Sequence, residues 1–148
     1  MNIFEEIRED HKTQRSLLNT LLRTEGDSND RRSVWEKLKV ELMAHEMAEE
    51  KNFYNPMIEH DKSQEHARHS IAEHHEIDEM IKKLDDTEMS SSAWLTHFKS
   101  LRELVFHHLE EEEHEIFKVA GQVLNETEKE RLAKDYRASM KRQAEKLN

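Results

Sequence analysis

HEMAEEKNFY, residues 45–54, is the stretch that decides the fold, and a related stretch, HLEEEEHEIF, follows at residues 108–117. The repeat extends upstream, because His11 returns as His74 at the same spacing of 63 residues. The recurring pairs are His11 and His74, His45 and His108, Glu49 and Glu112, Glu50 and Glu113, and Tyr54 and Phe117. Most other letters differ between the halves. The repeat therefore indicates two halves that each deliver ligands to one shared metal centre.

Composition favours a single all-helical domain. The chain has 148 residues with 2 Gly and 1 Pro, and 38% of its residues are charged. So few helix-breaking residues, together with abundant Leu, Glu, Lys and Arg, are typical of helical proteins. Only 34% of the residues are hydrophobic. Because these recur at helical spacing, the pattern predicts a packed core rather than disorder.

Charge and residue usage exclude several classes of function. The absence of cysteine excludes disulfides and thiolate metal sites. A formal net charge of -10 disfavours binding to nucleic acid phosphates. No apolar run is long enough for a membrane span, and the acidic first ten residues do not resemble a signal peptide. We therefore expect a cytoplasmic protein with no nucleic acid or membrane partner.

The apolar pattern predicts an antiparallel, up-down-up-down four-helix bundle over residues 1–124, made of two helical hairpins. The predicted helices end near Gly26, Pro56 and Gly121. A further amphipathic helix is predicted over residues 125–148, with Thr127 and Glu130 as its capping box. Its apolar row is thin, so it packs either on the bundle or on a partner chain. The protein is accordingly expected to be a monomer or a homodimer formed through this helix.

Six metal-binding side chains interrupt the apolar stripes of the predicted helices: His11, His45, Glu49, His74, His108 and Glu112. Residues four apart share a helix face, so each His-x-x-x-Glu pair can aim both side chains at one point. A buried carboxylate is costly unless it is paired or binds a cation. Without sulfur ligands, this set suits iron or manganese better than a structural zinc site.

Other interpretations of these residues carry less weight. A single histidine on an apolar stripe is usually a core residue, but four in matching frame with two glutamates favour a metal. A zincin motif would need His-Glu-x-x-His, and residues 45–49 carry glutamate at the last position. Ferritin-like bundles need Glu-x-x-His twice, and only Glu111 with His114 fits. A metal-free interaction bundle remains as the non-metal hypothesis.

These motifs resemble the haemerythrin-like family of HHE cation-binding bundles over about residues 2–120. The resemblance rests on Asp10-His11, on His45-x-x-x-Glu49-Glu50 with Phe53-Tyr54-x-Pro56, on Glu73-His74, and on His108-x-x-x-Glu112-Glu113 with Ile116-Phe117. It implies two iron ions joined by an oxo or hydroxo bridge, with manganese less favoured. It further implies one iron on His11 and His45, the other on His74 and His108, and both bridged by Glu49 and Glu112.

The chain departs from the oxygen-carrying members of that family. Those have a further histidine four residues before the ligand on the third helix, where this chain has Ser70. His69 is a poor substitute, because it lies five residues from His74 and about 140° around the helix. The carriers also use His-x4-Asp where this chain has His-x3-Glu. Glu46 is a possible extra ligand by resemblance to an iron-sensing member.

Further residues around the six receive weaker interpretations. Glu50 and Glu113 recur in both halves and are candidates to hydrogen-bond ligand imidazoles. Tyr54 and Phe117 lie nine residues beyond their histidines, on the opposite side of an ideal helix, and are interpreted as packing residues.

Six protein ligands would leave open positions on a metal pair, which favours reaction over storage of an intact ligand. We therefore expect a non-haem di-iron protein that binds O2, hydrogen peroxide or nitric oxide, with peroxide or nitric oxide detoxification favoured over O2 carriage. Whether it is an enzyme, with a peroxidase-like or catalase-like activity, stays open. The alternative is an iron or oxygen sensor, or an iron-handling module, whose metal occupancy controls bundle stability and partner binding.

Overall fold

The computed structural model describes all 148 residues, and most of them lie in helices joined by short loops. The α-helices are α1 (Ile3–Leu22), α2 (Asn29–Glu49), α3 (Asn55–Ile58), α4 (Gln64–Asp85), α5 (Ser92–Glu111), α6 (Phe117–Val123) and α7 (Glu126–Leu147). Two π-helical turns, Glu50–Tyr54 and Glu112–Ile116, join α2 to α3 and α5 to α6 without a break. The result is four long helical segments followed by a fifth.

The four long segments form the predicted bundle. α1 packs on α2, α4 packs on α5, and α1 also contacts α5 across the bundle. Gly26 lies in the α1–α2 turn with a φ of 51°, a left-handed conformation that favours glycine. The prediction of an all-α four-helix bundle with an additional C-terminal helix is confirmed.

Three helix boundaries differ from the predictions. Pro56 and Gly121 lie inside α3 and α6 rather than at helix ends. Pro56 directly follows the π turn, whose wider i→i+5 hydrogen bonds, such as Asn55 N–H to the Glu50 carbonyl, interrupt the α-helical bonding just before a residue that has no N–H. The last helix is capped by Asn125 and Glu128 instead of Thr127 and Glu130, since the Asn125 side chain accepts from the Glu128 N–H and Glu128 accepts from the Asn125 N–H.

The core consists of two apolar clusters with a polar layer between them. Along α1 the first cluster includes Ile3 and Ile7, and the second begins at Leu18. His11 and Gln14, which lie between, are also buried. The same succession on the other helices creates a water-poor layer of polar side chains closed at both ends by hydrocarbon.

α7 packs on the bundle, against α1 and α2. Leu132, Tyr136 and Met140 on this helix are buried in the first apolar cluster. Arg137 pairs with Glu6 at 2.7 Å and with Asp10 at 3.3 Å, both on α1. None of the helices combines the length and apolarity that a bilayer span requires.

Candidate metal centre

The polar layer contains all six predicted ligands, each no more than 2% exposed. Their donor atoms fall into two groups, each within 4.8 Å, that share Glu49 and Glu112. The first group is completed by His11 and His45, and the second by His74 and His108. α1, α2, α4 and the α5–α6 segment each supply part of the layer, so neither hairpin alone holds a complete set.

Each of the two glutamates faces one histidine from each group. Glu49 places Oε2 3.2 Å from His45 Nε2 and Oε1 3.0 Å from His74 Nε2. Glu112 places Oε1 3.0 Å from His11 Nε2 and Oε2 3.5 Å from His108 Nε2. Each carboxylate therefore has one oxygen beside the first group of histidines and one beside the second.

Five of the eight inward-facing atoms lack hydrogen-bond partners; the others are His74 Nε2 and His108 Nε2, which lie 3.1 Å apart, and Glu112 Oε2. His11 Nε2, His45 Nε2, both oxygens of Glu49 and Oε1 of Glu112 are all buried and unpaired. Although several lie 3.0–3.2 Å from one another, the contacts lack hydrogen-bond geometry. Buried polar atoms without partners are costly in a stable fold. Imidazole and carboxylate donors that converge in this way suit a divalent or trivalent cation, so the residues fit a metal centre.

The outward-facing nitrogen of every histidine contacts a carboxylate, which leaves Nε2 free to point inward. The Nδ1 contacts are His11 to Glu113 at 2.5 Å, His45 to Asp10 at 3.3 Å, His74 to Glu50 at 2.8 Å and His108 to Glu73 at 2.8 Å. Glu50 and Glu113 thus make the contacts expected of them. The roles of Asp10 and Glu73 were not foreseen, although each precedes a histidine of the repeat by one residue in the sequence.

The last helix contributes to the centre through Tyr136. Its phenol donates to Asp10, and its oxygen lies 2.5 Å from His45 Nδ1. Burial lowers the pKa of His45, but Glu49 and Asp10 outweigh burial and raise it to about 10. Burial and the Asp10 carboxylate raise the pKa of Tyr136 well above its usual value, so the phenol stays protonated as a donor.

Tyr54 is not a packing residue only, which corrects the sequence interpretation. Its phenol donates a hydrogen bond to Glu112 Oε2. In an ideal helix Tyr54 would lie about 180° from His45, but one extra residue in a π turn rotates the following residues back by roughly 100°. Phe117, its partner in the repeat, does pack in the core, with its ring 5.0 Å from that of Phe4.

Glu46 does not join the six, contrary to its interpretation as an extra ligand. It is buried, but it belongs to neither group of converging donors. It faces Asp78 on α4 instead, because one residue along a helix turns the side chain by about 100°. Burial and the Asp78 carboxylate raise the pKa of Glu46 to about 12, so the side chain is a neutral acid.

Glu49 and Glu112 share the buried layer, and ionisation of one disfavours ionisation of the other when no cation is bound. Burial and the neighbouring Glu49 carboxylate raise the pKa of Glu112 well above its usual value. Burial also acts to raise the pKa of Glu49, but the charge of His45 and the close approach of the His45 and His74 imidazoles hold it well below its usual value. Without metal, Glu112 therefore keeps a proton that a cation would displace.

Ser70 occupies the position of the carriers' additional histidine. It lies one turn before His74, is fully buried, and its hydroxyl has no hydrogen-bond partner. His69, the neighbouring imidazole, is on the outer face with 54% of its side chain exposed. The second group of donors therefore contains two imidazoles rather than three.

Comparisons with known proteins give the family. No curated protein matches the chain. The crystal structure of a Hemerythrin HHE cation binding domain-containing protein from Mycobacterium kansasii matches with a TM-score of 0.89 and 20% identity, covering 99% of this chain and 89% of that one. At this identity the likeness shows a shared fold, last helix included. The family model for the Hemerythrin HHE cation binding domain matches residues 2–120. The chain therefore belongs to the haemerythrin HHE cation-binding family.

Proposed function

We propose that this protein holds two iron ions in the polar layer and reacts there with a small oxidant, hydrogen peroxide or nitric oxide in preference to carrying O2. The observation that carries the proposal is the placement of Glu49 and Glu112. In each glutamate, one oxygen faces a histidine of the first group and the other oxygen faces a histidine of the second group. A single cation would leave one pair unused. Oxygen and nitrogen donors without sulfur favour iron, with manganese as the less suited substitute.

In this proposal His11 and His45 would hold one ion and His74 and His108 the other, with Glu49 and Glu112, which belong to both groups of donors, available to each ion. The two metal ions would supply redox chemistry and Lewis acidity. In peroxide disproportionation, hydrogen peroxide is both oxidant and reductant, whereas reduction of peroxide or nitric oxide would take its electrons from an external reductant. The protein residues keep the imidazoles oriented through their Nδ1 contacts and exclude bulk water with the two apolar clusters. The Tyr54 phenol would hold a proton beside Glu112 Oε2, next to the second pair of histidines.

Support for reaction over carriage comes from Ser70. A serine hydroxyl in place of a third imidazole leaves one more coordination position for water or an oxidant. In this proposal the two metal ions would carry the chemistry and the chain would supply orientation and protons.

The test is metal analysis with optical spectroscopy of the protein as purified, followed by addition of hydrogen peroxide. We expect about two irons per chain from the two donor groups, charge-transfer bands of a bridged pair, and oxygen evolution or reductant consumption. The Glu49→Gln and Glu112→Gln variants should each fail to retain two irons. His75→Ala, which alters an exposed imidazole beside His74, should retain them. One iron per chain in the wild type would overturn the dinuclear assignment.

A second function, an iron or oxygen sensor, is favoured by the link between Tyr136 and His45. Metal binding at His45 would change the imidazole that contacts Tyr136, one of several contacts between α7 and the bundle. Large metal-dependent stabilisation without peroxide turnover would support the sensor. If the protein turns over peroxide, and a protease cleaves α7 at nearly the same rate with and without metal, the reaction is supported instead of the sensor.

A further inference from the structure

A second histidine and glutamate cluster lies on the outside of the bundle, where α4 and α5 face each other. His69 with Glu73 on α4 and His107 with Glu111 on α5 repeat the His-x-x-x-Glu spacing of the buried site. His107 and Glu111 each stand one residue before His108 and Glu112, so they occupy the adjacent face of the same helix. Two such pairs from different helices therefore meet at one surface point.

The donor atoms of this cluster converge. His69 Nε2 lies 2.9 Å from Glu111 Oε1 and 3.5 Å from Glu73 Oε2. Donor atoms of His69, Glu73 and Glu111 all lie within 4.8 Å of one another. His107 Nε2 lies 3.1 Å from the other oxygen of Glu111. One imidazole and two carboxylates are thus positioned for a cation, with a second imidazole beside them.

Glu73 separates this cluster from an ordinary surface ion pair. Its side chain is only 9% exposed, and its Oε2 makes no hydrogen bond other than the approach to His69. His75 and Glu79, also four residues apart on α4, form an ordinary surface contact, with His75 Nε2 3.2 Å from Glu79 Oε1. No donor atom from another helix joins them.

Glu73 also connects the outer cluster to the buried layer. Its Oε1 lies 2.8 Å from His108 Nδ1, while its Oε2 faces outward. One carboxylate therefore touches both the cluster and an imidazole of the second donor group. The net charge of -10 attracts cations to the protein as a whole.

We propose that His69, Glu73 and Glu111, assisted by His107, bind a divalent transition-metal ion at the surface and pass it to the buried layer. Imidazole with carboxylate suits Zn²⁺, Fe²⁺ or Mn²⁺ better than Ca²⁺ or Mg²⁺. Binding at the surface stands on the cluster alone. Transfer inward rests on the proposed function, with Fe²⁺ as the ion transferred.

The binding test is a Zn²⁺ titration of the full-length protein by calorimetry, comparing the wild type with His69→Ala, Glu111→Gln and, as matched control, His75→Ala. We expect His69→Ala and Glu111→Gln to bind one Zn²⁺ fewer than the wild type, while His75→Ala binds the same number. This difference does not depend on what occupies the interior. Equal zinc binding by His69→Ala and the wild type would overturn the site, as would an equal loss in His75→Ala.

The transfer test follows Fe²⁺ uptake by the metal-free protein without O2, as the iron content of protein separated from free metal at successive times. Uptake should be severalfold slower in His69→Ala than in the wild type, with the same final iron content. Equal uptake rates would overturn the transfer step. Failure of the wild type itself to take up two irons would contradict the proposed function and leave the zinc comparison intact.

Discussion

The Tyr136 phenol oxygen, on the last helix, lies 2.5 Å from Nδ1 of His45, on the second. Asp10 joins them, since it accepts from Tyr136 and lies 3.3 Å from His45 Nδ1. No other imidazole of the layer contacts a residue of α7. His45, on α2, is therefore held by residues from α1 and α7, and α7 supports the centre as well as covering the bundle.

Tyr136→Phe should weaken metal retention in the first donor group, because it removes the hydroxyl and keeps the ring. Loss of a group that orients a ligand histidine commonly reduces metal affinity by roughly tenfold to a hundredfold. The measurement is the rate of iron removal by a chelator. Ser139→Ala, which removes a buried hydroxyl from the same helix, is the control. Equal removal rates in Tyr136→Phe and the wild type would show that the phenol only packs.

Tyr54→Phe should leave two irons bound and lower kcat for peroxide removal, because the phenol is the protonated group next to Glu112. Loss of a positioned proton donor typically costs on the order of a hundredfold or more. Steady-state kinetics with metal analysis measures this. Phe117→Tyr, the substitution at the repeat-related position, provides the comparison, since Phe117 packs against Phe4 and should not supply a proton. An unchanged kcat in Tyr54→Phe would exclude a proton role.

Ser70→His should add an imidazole one turn before His74 and fill a coordination position of the second ion. We expect slower peroxide removal, measured as the loss of peroxide absorbance by stopped flow. Ser70→Ala is the matched control, because the Ser70 hydroxyl has no partner to lose. If Ser70→His and Ser70→Ala behave alike, the missing imidazole does not determine reactivity.

The repeat was sufficient to predict which six side chains converge, because residues four apart on a helix must share a face whatever surrounds them. The contact of Tyr54 with Glu112 was not predicted, because a π turn cannot be recognised from a hydrophobic pattern with a period of 3.6 residues. Tyr136 escaped prediction for a different reason: α7 lies outside the repeat, and its sparse apolar row does not specify where the helix packs. Glu46 shows the limit of resemblance, since its direction depends on its place on α2 and on Asp78.

Glu41 on α2 is a titratable group near the centre that the metal does not explain. It is partly buried, and one of its oxygens has no hydrogen-bond partner. Burial and the Asp10 carboxylate raise its pKa from 4.5 to about 7, against smaller opposing effects of His45 and Arg137. The ionised carboxylate therefore destabilises the fold.

The sign of the pH dependence follows from the raised pKa. Below the unfolded value of 4.5, Glu41 is protonated in both states and costs nothing. As pH rises toward about 7, the unfolded chain releases the proton more readily than the folded one, so stability falls.

Glu41→Gln should abolish this loss and stabilise the protein by about 2 kcal/mol at pH 8, allowing for solvent screening of a partly exposed group. Urea unfolding of the metal-free protein at pH 5 and at pH 8, values on either side of about 6 where the change is centred, measures the difference. Glu103→Gln, an exposed glutamate on α5, should change neither value. A Glu41→Gln variant that gains no more at pH 8 than at pH 5 would show that Glu41 is solvated in the folded protein.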